Sequence, residues 1–439
     1  MPARTVMLRC LLASILAAAV SQAAGAKSAK LEAAYVVLGP QGAVARAVLK
    51  DTSQCPAVTL NTGAQPMSVR AMPGTGKKAP FPVLVCELSI PSGTTSASLE
   101  GKALPLPPAA LATLAVIGDT GCRLKADKSA TSPHTDDHDD GKFQDCDKTS
   151  KWPFSTLAAS VAAARPQLLI HVGDYIYRES PCPKHDKGCK GSPYGDNWAT
   201  WKADFFKPAA ALLAAVPWIA TRGNHEICDR AGAGFMLFLD PALAQNNTPP
   251  ACVETNQPFT VTVGSQSFVV LDSANAPDEC PKEGCAGGPY AQQFADMNPA
   301  GGAWLVTHRP IWGIKNKGVI LNATLQAALG QWQGKLPPGF ALAIAGHIHI
   351  WEALSFTDQR TPQLVLGNGG TLLAHKIAPP LAGTAIGGTT VASGTTKHDW
   401  GFTMFAPIAN SPDWTATFYS TKGNAKFTCS VTPTGVTCS

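Results

Sequence analysis

Seven residues in this chain pair a metal-ligand side chain with a place at or just past the end of an apolar run: Asp119, Asp174, Tyr177, Asn224, His308, His347 and His349. Carboxylate, phenol, amide oxygen and imidazole are all donors to hard or borderline cations. Such a set suits the hydrolysis of a phosphate ester. That reaction needs a nucleophile strong at ambient pH, neutralised phosphoryl oxygens and a stabilised leaving oxygen. Two cations roughly 3.5–4 Å apart supply all three, because they acidify a water between them and clamp the ester. A bridging carboxylate must hold the pair together. Asp174 is the expected bridge, with Asp119 on one metal and Asn224 and His308 on the other. His347 and His349 alternate in an extended segment, so each serves a different ion only if the backbone twists there. Neutral imidazole and amide oxygen suit a divalent ion, whereas a phenolate favours a hard, trivalent one.

Strands must deliver these groups. Five runs, LATLAVI, QLLIHV, VPWIAT, AWLV and FALAIA, are apolar throughout, as strands covered on both faces are. Each ends within three residues of a ligand-type side chain: Gly118-Asp119, Gly173-Asp174, Gly223-Asn224-His225, Thr307-His308 and Gly346-His347-Ile348-His349. Between them lie Ala-rich segments of helical length, STLAASVAAAR and KPAAALLAAV, so the texture is α/β. In open α/β sheets, chemistry collects beyond the carboxyl ends of the strands. Ahead of this region, Leu31 to Leu106 reads as short β-type runs broken by Gly, Pro, Ser and Thr, which predicts a small β-sandwich. Pro105, Pro107 and Pro108 mark a linker. The expected organisation is a signal segment over 1–26, an N-terminal β-sandwich domain over 27–107 and a catalytic domain over 108–439. The last part, Trp414 to Cys438, is expected to form alternating strands around Lys422-Gly423-Asn424.

The first 26 residues carry Arg4 and Arg9, then a short apolar run, then small residues, the layout of a secretory signal. Removing them lowers the net charge from +5 to +3. So mild a balance argues against nucleic acid, or a membrane after cleavage, as the main partner. Loss of Cys10 leaves twelve cysteines in near-neighbour positions, and none forms a CxxC pair with zinc-ribbon spacing. Disulfides pairing 55 with 86, 122 with 146, 182 with 189, 228 with 252, 280 with 285 and 429 with 438 are expected, in a periplasmic or secreted protein.

The motifs that carry these residues resemble those of the calcineurin-like metallophosphoesterases. Within that superfamily Asp119-Thr120-Gly121, Gly173-Asp174-Tyr175-Ile176-Tyr177, Gly223-Asn224-His225-Glu226, Leu305-Val306-Thr307-His308 and Gly346-His347-Ile348-His349 look like the five motifs of the purple acid phosphatase branch. The first motif lacks the histidine of the wider superfamily, and a tyrosine stands three residues after the bridging Asp. The fourth has Leu where the branch has Val. The resemblance spans roughly Leu111 to Phe405. It implies an αββα sandwich behind a β-sandwich, and a ferric ion held by Asp119, Asp174, Tyr177 and His349. It also implies a divalent iron, zinc or manganese held by Asp174, Asn224, His308 and His347, with His225 assisting the leaving group. The implied activity is acid phosphatase-type hydrolysis of small phosphate esters by in-line attack of metal-bound hydroxide. A metallophosphodiesterase of the same superfamily and a non-catalytic phosphate- or metal-binding relative are the alternatives.

Several neighbours read two ways. Glu226 is placed either for proton transfer or to satisfy a helix start. Arg222 is placed either to bind substrate phosphate or to pair with a nearby carboxylate. His171, inside an apolar run, is expected to be a satisfied core histidine. The run His134 to Asp140 (HTDDHDD) is expected to be a solvated loop. Ser180 to Trp201 reads equally as a pocket wall and as a stapled loop without substrate contact.

Overall fold

The computed structural model describes residues 30–126, 142–279, 287–315 and 318–439. The signal segment, the HTDDHDD run and the Cys280–Cys285 pair lie outside these residues. Two large sheets face each other. In the first, the parallel strands Leu114–Ile117, Leu168–His171 and Trp218–Ala220 form the centre of an eleven-stranded sheet. In the second, Gln266–Leu271, Ala303–Thr307, Phe340–Ala345 and Gln363–Leu366 run parallel within eight strands. Each of the five apolar runs contains a strand whose residues are all buried, save Ala341, because each is covered on both faces.

Side-chain alternation divides the core into layers. Leu114, Val116, Leu168 and Ile170 point between the sheets, against Val306, Leu342, Ile344 and Leu364. Ala115, Ile117, Leu169 and Trp218 point outward, under the helices Phe154–Ala164, Ala210–Ala215 and Gly232–Phe238. The outer face of the second sheet carries Leu305 and Ala343 under Gly288–Asp296 and Ala323–Ala328. This is the expected αββα arrangement.

The N-terminal region is all-β, as expected, and its docking is specific. Lys30–Gly39 pairs in parallel with Trp218–Ala220, so four N-terminal strands extend the first sheet edge-on. A separate four-stranded sheet packs over them through Val58, Leu60 and Leu99 against Ala45, Ala47 and Cys86, which makes a sandwich. Disulfides join 55 with 86, 122 with 146, 182 with 189, 228 with 252 and 429 with 438, the near-neighbour pairing read from the sequence. Among the described residues no helix is long and apolar enough to cross a membrane.

Candidate metal centre

The strand ends that carry the seven ligand candidates turn sharply. Asp119, Asp174 and His347 all adopt left-handed backbone, with φ of 56°, 60° and 69°. Non-glycine residues in that region store strain, and such strain gathers at functional sites. The turn at His347 is the twist that His347 and His349 need to face different places. Gly223 is required by proximity, since a Cβ there would lie 2.1 Å from Asp174 Oδ1. Gly173 is required twice over, by φ of 98° and by the His308 ring against it.

The seven side chains converge in two groups that share Asp174. Tyr177 Oη lies 2.9 Å from Asp119 Oδ1, 2.6 Å from Asp174 Oδ2 and 2.9 Å from His349 Nε2. Asn224 Oδ1 lies 2.9 Å from both His308 Nε2 and His347 Nδ1, and His308 Nε2 is 3.2 Å from Asp174 Oδ2.

The partners on the far side of each imidazole assign its proton. His308 Nδ1 donates to the Val172 carbonyl at 2.7 Å, His349 Nδ1 to the Leu372 carbonyl at 2.8 Å, and His347 Nε2 to Asp278 Oδ2 at 2.7 Å. Every inward nitrogen therefore presents a lone pair, and it faces oxygen lone pairs. Tyr177 has one proton for three acceptors. A buried cluster made almost wholly of acceptors fits cations and little else. Burial, and then Asp174, push Asp119 well above the usual carboxylate range. Burial and the two carboxylates likewise push the Tyr177 phenol far up.

His225 sits beside the cluster, its ring centroid 3.9 Å from that of Tyr177 and its Nε2 3.9 Å from Asp174 Oδ2. Its Nδ1 is 2.8 Å from Glu179 Oε1, and Arg230 lies against both ring nitrogens at 2.7 and 3.2 Å. Burial, reinforced by Arg230, lowers the imidazole to about 4. Neither Glu179 nor Arg230 stands in one of the five motifs, although Glu179 is only two residues past Tyr177.

Two of the expected site residues have their partners elsewhere. Arg222 does not face the cluster: its guanidinium donates to the Val253 and Glu254 carbonyls at 2.8 Å each and pairs with Asp272 at 2.7 Å. It anchors a loop. The Glu226 carboxylate is engaged with main-chain amides. Its Oε2 accepts from the amides of Gly223 and Asp174, and its Oε1 from those of Tyr175 and Ile176, at 2.8–3.1 Å. The fully buried carboxylate stitches two ligand-bearing turns together. Burial and Asp174 push it up to about 8, against four amides that favour the anion. Glu226→Ala should leave these amides without partners and cost at least about 3 kcal/mol in stability, read from the urea midpoint. A loss under about 1 kcal/mol would remove Glu226 from that role. His171, by contrast, is the satisfied core histidine expected, bonded to Thr120 Oγ1 and the Gly173 amide and stacked on Tyr175.

Fold and donor set together define a metallophosphoesterase. The chain belongs to the calcineurin-like phosphoesterase family, which matches residues 112–351. Its fold is similar to that of the purple acid phosphatase PPD1 from yellow lupin (Lupinus luteus), with a TM-score of 0.54 and 14% identity over 91% of this chain and 74% of that one. It is also similar to PhoD, with a TM-score of 0.53 and 12% identity over 93% and 91% of the two chains.

Proposed function

We propose that this chain is an exported two-metal phosphoesterase of the purple acid phosphatase type that hydrolyses small phosphate monoesters. The observation that carries the reading is the arrangement of inward-facing lone pairs in two groups joined by Asp174. In this reading Asp119, Asp174, Tyr177 and His349 hold a ferric ion, and Asp174, Asn224, His308 and His347 hold a divalent iron, zinc or manganese. Such a pair, when bound, supplies an acidified water and neutralises charge on the phosphoryl oxygens.

The protein's own groups do the rest. His225, held against Glu179 and Arg230, is placed beside the departing alcohol, and because its imidazole is lowered to about 4 it holds a proton to give only in acid. Glu226 keeps the Asp174 and Asn224 turns in register, so the bridging carboxylate cannot drift. Residues 27–107 form the accompanying β-domain and 108–439 the catalytic domain. Export agrees with the five disulfides among the described residues, which persist in oxidising compartments.

Metal analysis beside the visible spectrum tests the proposal. The purified protein should contain two metal equivalents including iron, show a tyrosinate-to-ferric band, and cleave a chromogenic phosphate monoester faster than the matching diester. Tyr177→Phe should abolish the band while the protein stays folded. Colourless protein that prefers the diester would make it a metallophosphodiesterase instead. Folded protein that takes up metal yet cleaves neither ester would make it a binding protein.

A further inference from the structure

The three imidazoles of the cluster are anchored in different ways. His308 and His349 each give their outer proton to a main-chain carbonyl, Val172 and Leu372. His347 gives its proton to a carboxylate, Asp278 Oδ2, at 2.7 Å. That carboxylate comes from a loop 69 residues away in sequence. Asn322 Nδ2 donates to its Oδ1 at 2.9 Å, Arg309 Nη1 lies 3.3 Å from the same oxygen, and the Ala323 amide donates to the Asp278 carbonyl at 3.0 Å. Asp278 is thus locked in place with one oxygen aimed at His347.

We propose that Asp278 is a positioning residue that sets the affinity of the cation site formed by Asn224, His308 and His347, while leaving the Asp119, Tyr177 and His349 site untouched. The inference rests on the two-metal reading above and deepens it. A carbonyl orients an imidazole but carries no charge. A carboxylate also draws on the imidazole proton, which raises electron density on the opposite nitrogen and strengthens its bond to a cation. In His347 that opposite nitrogen is Nδ1, the one beside Asn224 Oδ1. The two cation sites are therefore unequal, and the loop that carries Asp278 controls one of them.

The test uses the full chain stripped by a chelator and titrated with Zn2+, with chelator competition giving the two affinities and elemental analysis the stoichiometry. In Asp278→Ala one zinc equivalent should bind about 10- to 100-fold more weakly and the other as before. Asp278→Asn should fall between, because its amide oxygen still accepts the proton but lacks the charge. Nitrogen-15 spectra of the metal-free, histidine-labelled chain should place the His347 proton on Nε2, with a mixture of tautomers in Asp278→Ala. Asn322→Ala removes a loop contact but keeps the carboxylate–imidazole pair, so it should hold both zinc ions like the parent. Unchanged zinc affinities or an unchanged tautomer in Asp278→Ala would overturn the proposal, as would an equal loss in Asn322→Ala. A parent chain that takes up no zinc would instead overturn the metal centre itself.

Discussion

Replacing Asp174 with asparagine should reduce bound metal from two equivalents to one or none and slow ester hydrolysis by about a thousandfold or more, the equivalent of about 4 kcal/mol in the barrier. The expectation follows from where the carboxylate lies. Its Oδ2 is 2.6 Å from Tyr177 Oη and 3.2 Å from His308 Nε2, so it touches both donor groups. Asp119 meets the other group at the His347 main-chain amide and not at a ligand atom. Asparagine preserves shape but removes the charge that makes one residue attractive to two cations. Asp119→Asn provides the contrast. Asp119 belongs to one group, so its loss should remove one metal and leave the other.

The same substitution should also raise the melting temperature of the metal-free protein. Burial and the nearby Asp174 hold Asp119 well above the usual carboxylate range, so its ionised form is a burden in the folded state at neutral pH. A group raised in this way weakens the fold as pH climbs past its unfolded value, and asparagine escapes that penalty. Metal analysis, a rate assay and thermal scans with chelator check the set. Two metals and an unaltered rate in Asp174→Asn would sink the bridging role.

How much of this was legible in the sequence depended on distance along the chain. The five strand ends were readable because a buried parallel strand is apolar throughout and its terminal residue follows directly. The near-neighbour disulfides were readable for the same local reason, and His171 because an imidazole inside QLLIHV has nowhere to go but the core. What failed was the aim of side chains at the turns. Arg222 immediately precedes Gly223-Asn224, yet its guanidinium turns to a loop 31 and 32 residues onward. Glu226 follows His225, yet its carboxylate folds back onto main-chain amides. Asp278 was not foreseen because nothing local distinguishes a loop aspartate that meets His347 only after the second sheet forms. The β-sandwich was legible as strands, but its bond to the catalytic sheet was not, since Val37 and Trp218 become partners only in the fold.

That last contact leads to the largest stability effect expected outside the metal centre. Arg70→Ala should cost about 3–5 kcal/mol, because it breaks a buried ion pair and leaves buried main-chain carbonyls without their donor. Arg70 and Arg46 are both fully buried in the N-terminal strands, beside Glu87. They cap the end of the helix Gly232–Phe238. Arg70 donates to the carbonyls of Met236, Leu237 and Ala242, and Arg46 to those of Phe238 and Asp240. Glu87 in turn accepts the Ala244 amide at 2.6 Å, and Tyr35 donates to Phe238 O at 2.8 Å. Helix carbonyls with no intrahelical partner must find donors, and a planar guanidinium reaches several at once. Arg70→Lys should therefore restore less than half of the loss, because an ammonium on a flexible stem cannot span the same carbonyls. This helix begins six residues after the Glu226 clamp, so the clasp steadies the turn that carries Asn224 and His225. The N-terminal strands therefore share a sheet with the strands that carry the site: a chain lacking residues 30–107 would lose the partner of the Trp218–Ala220 edge and the donors at the helix end. Urea midpoints of the two Arg70 variants decide the matter, and a shift under about 1 kcal/mol for Arg70→Ala would show that water or other donors satisfy those carbonyls equally well.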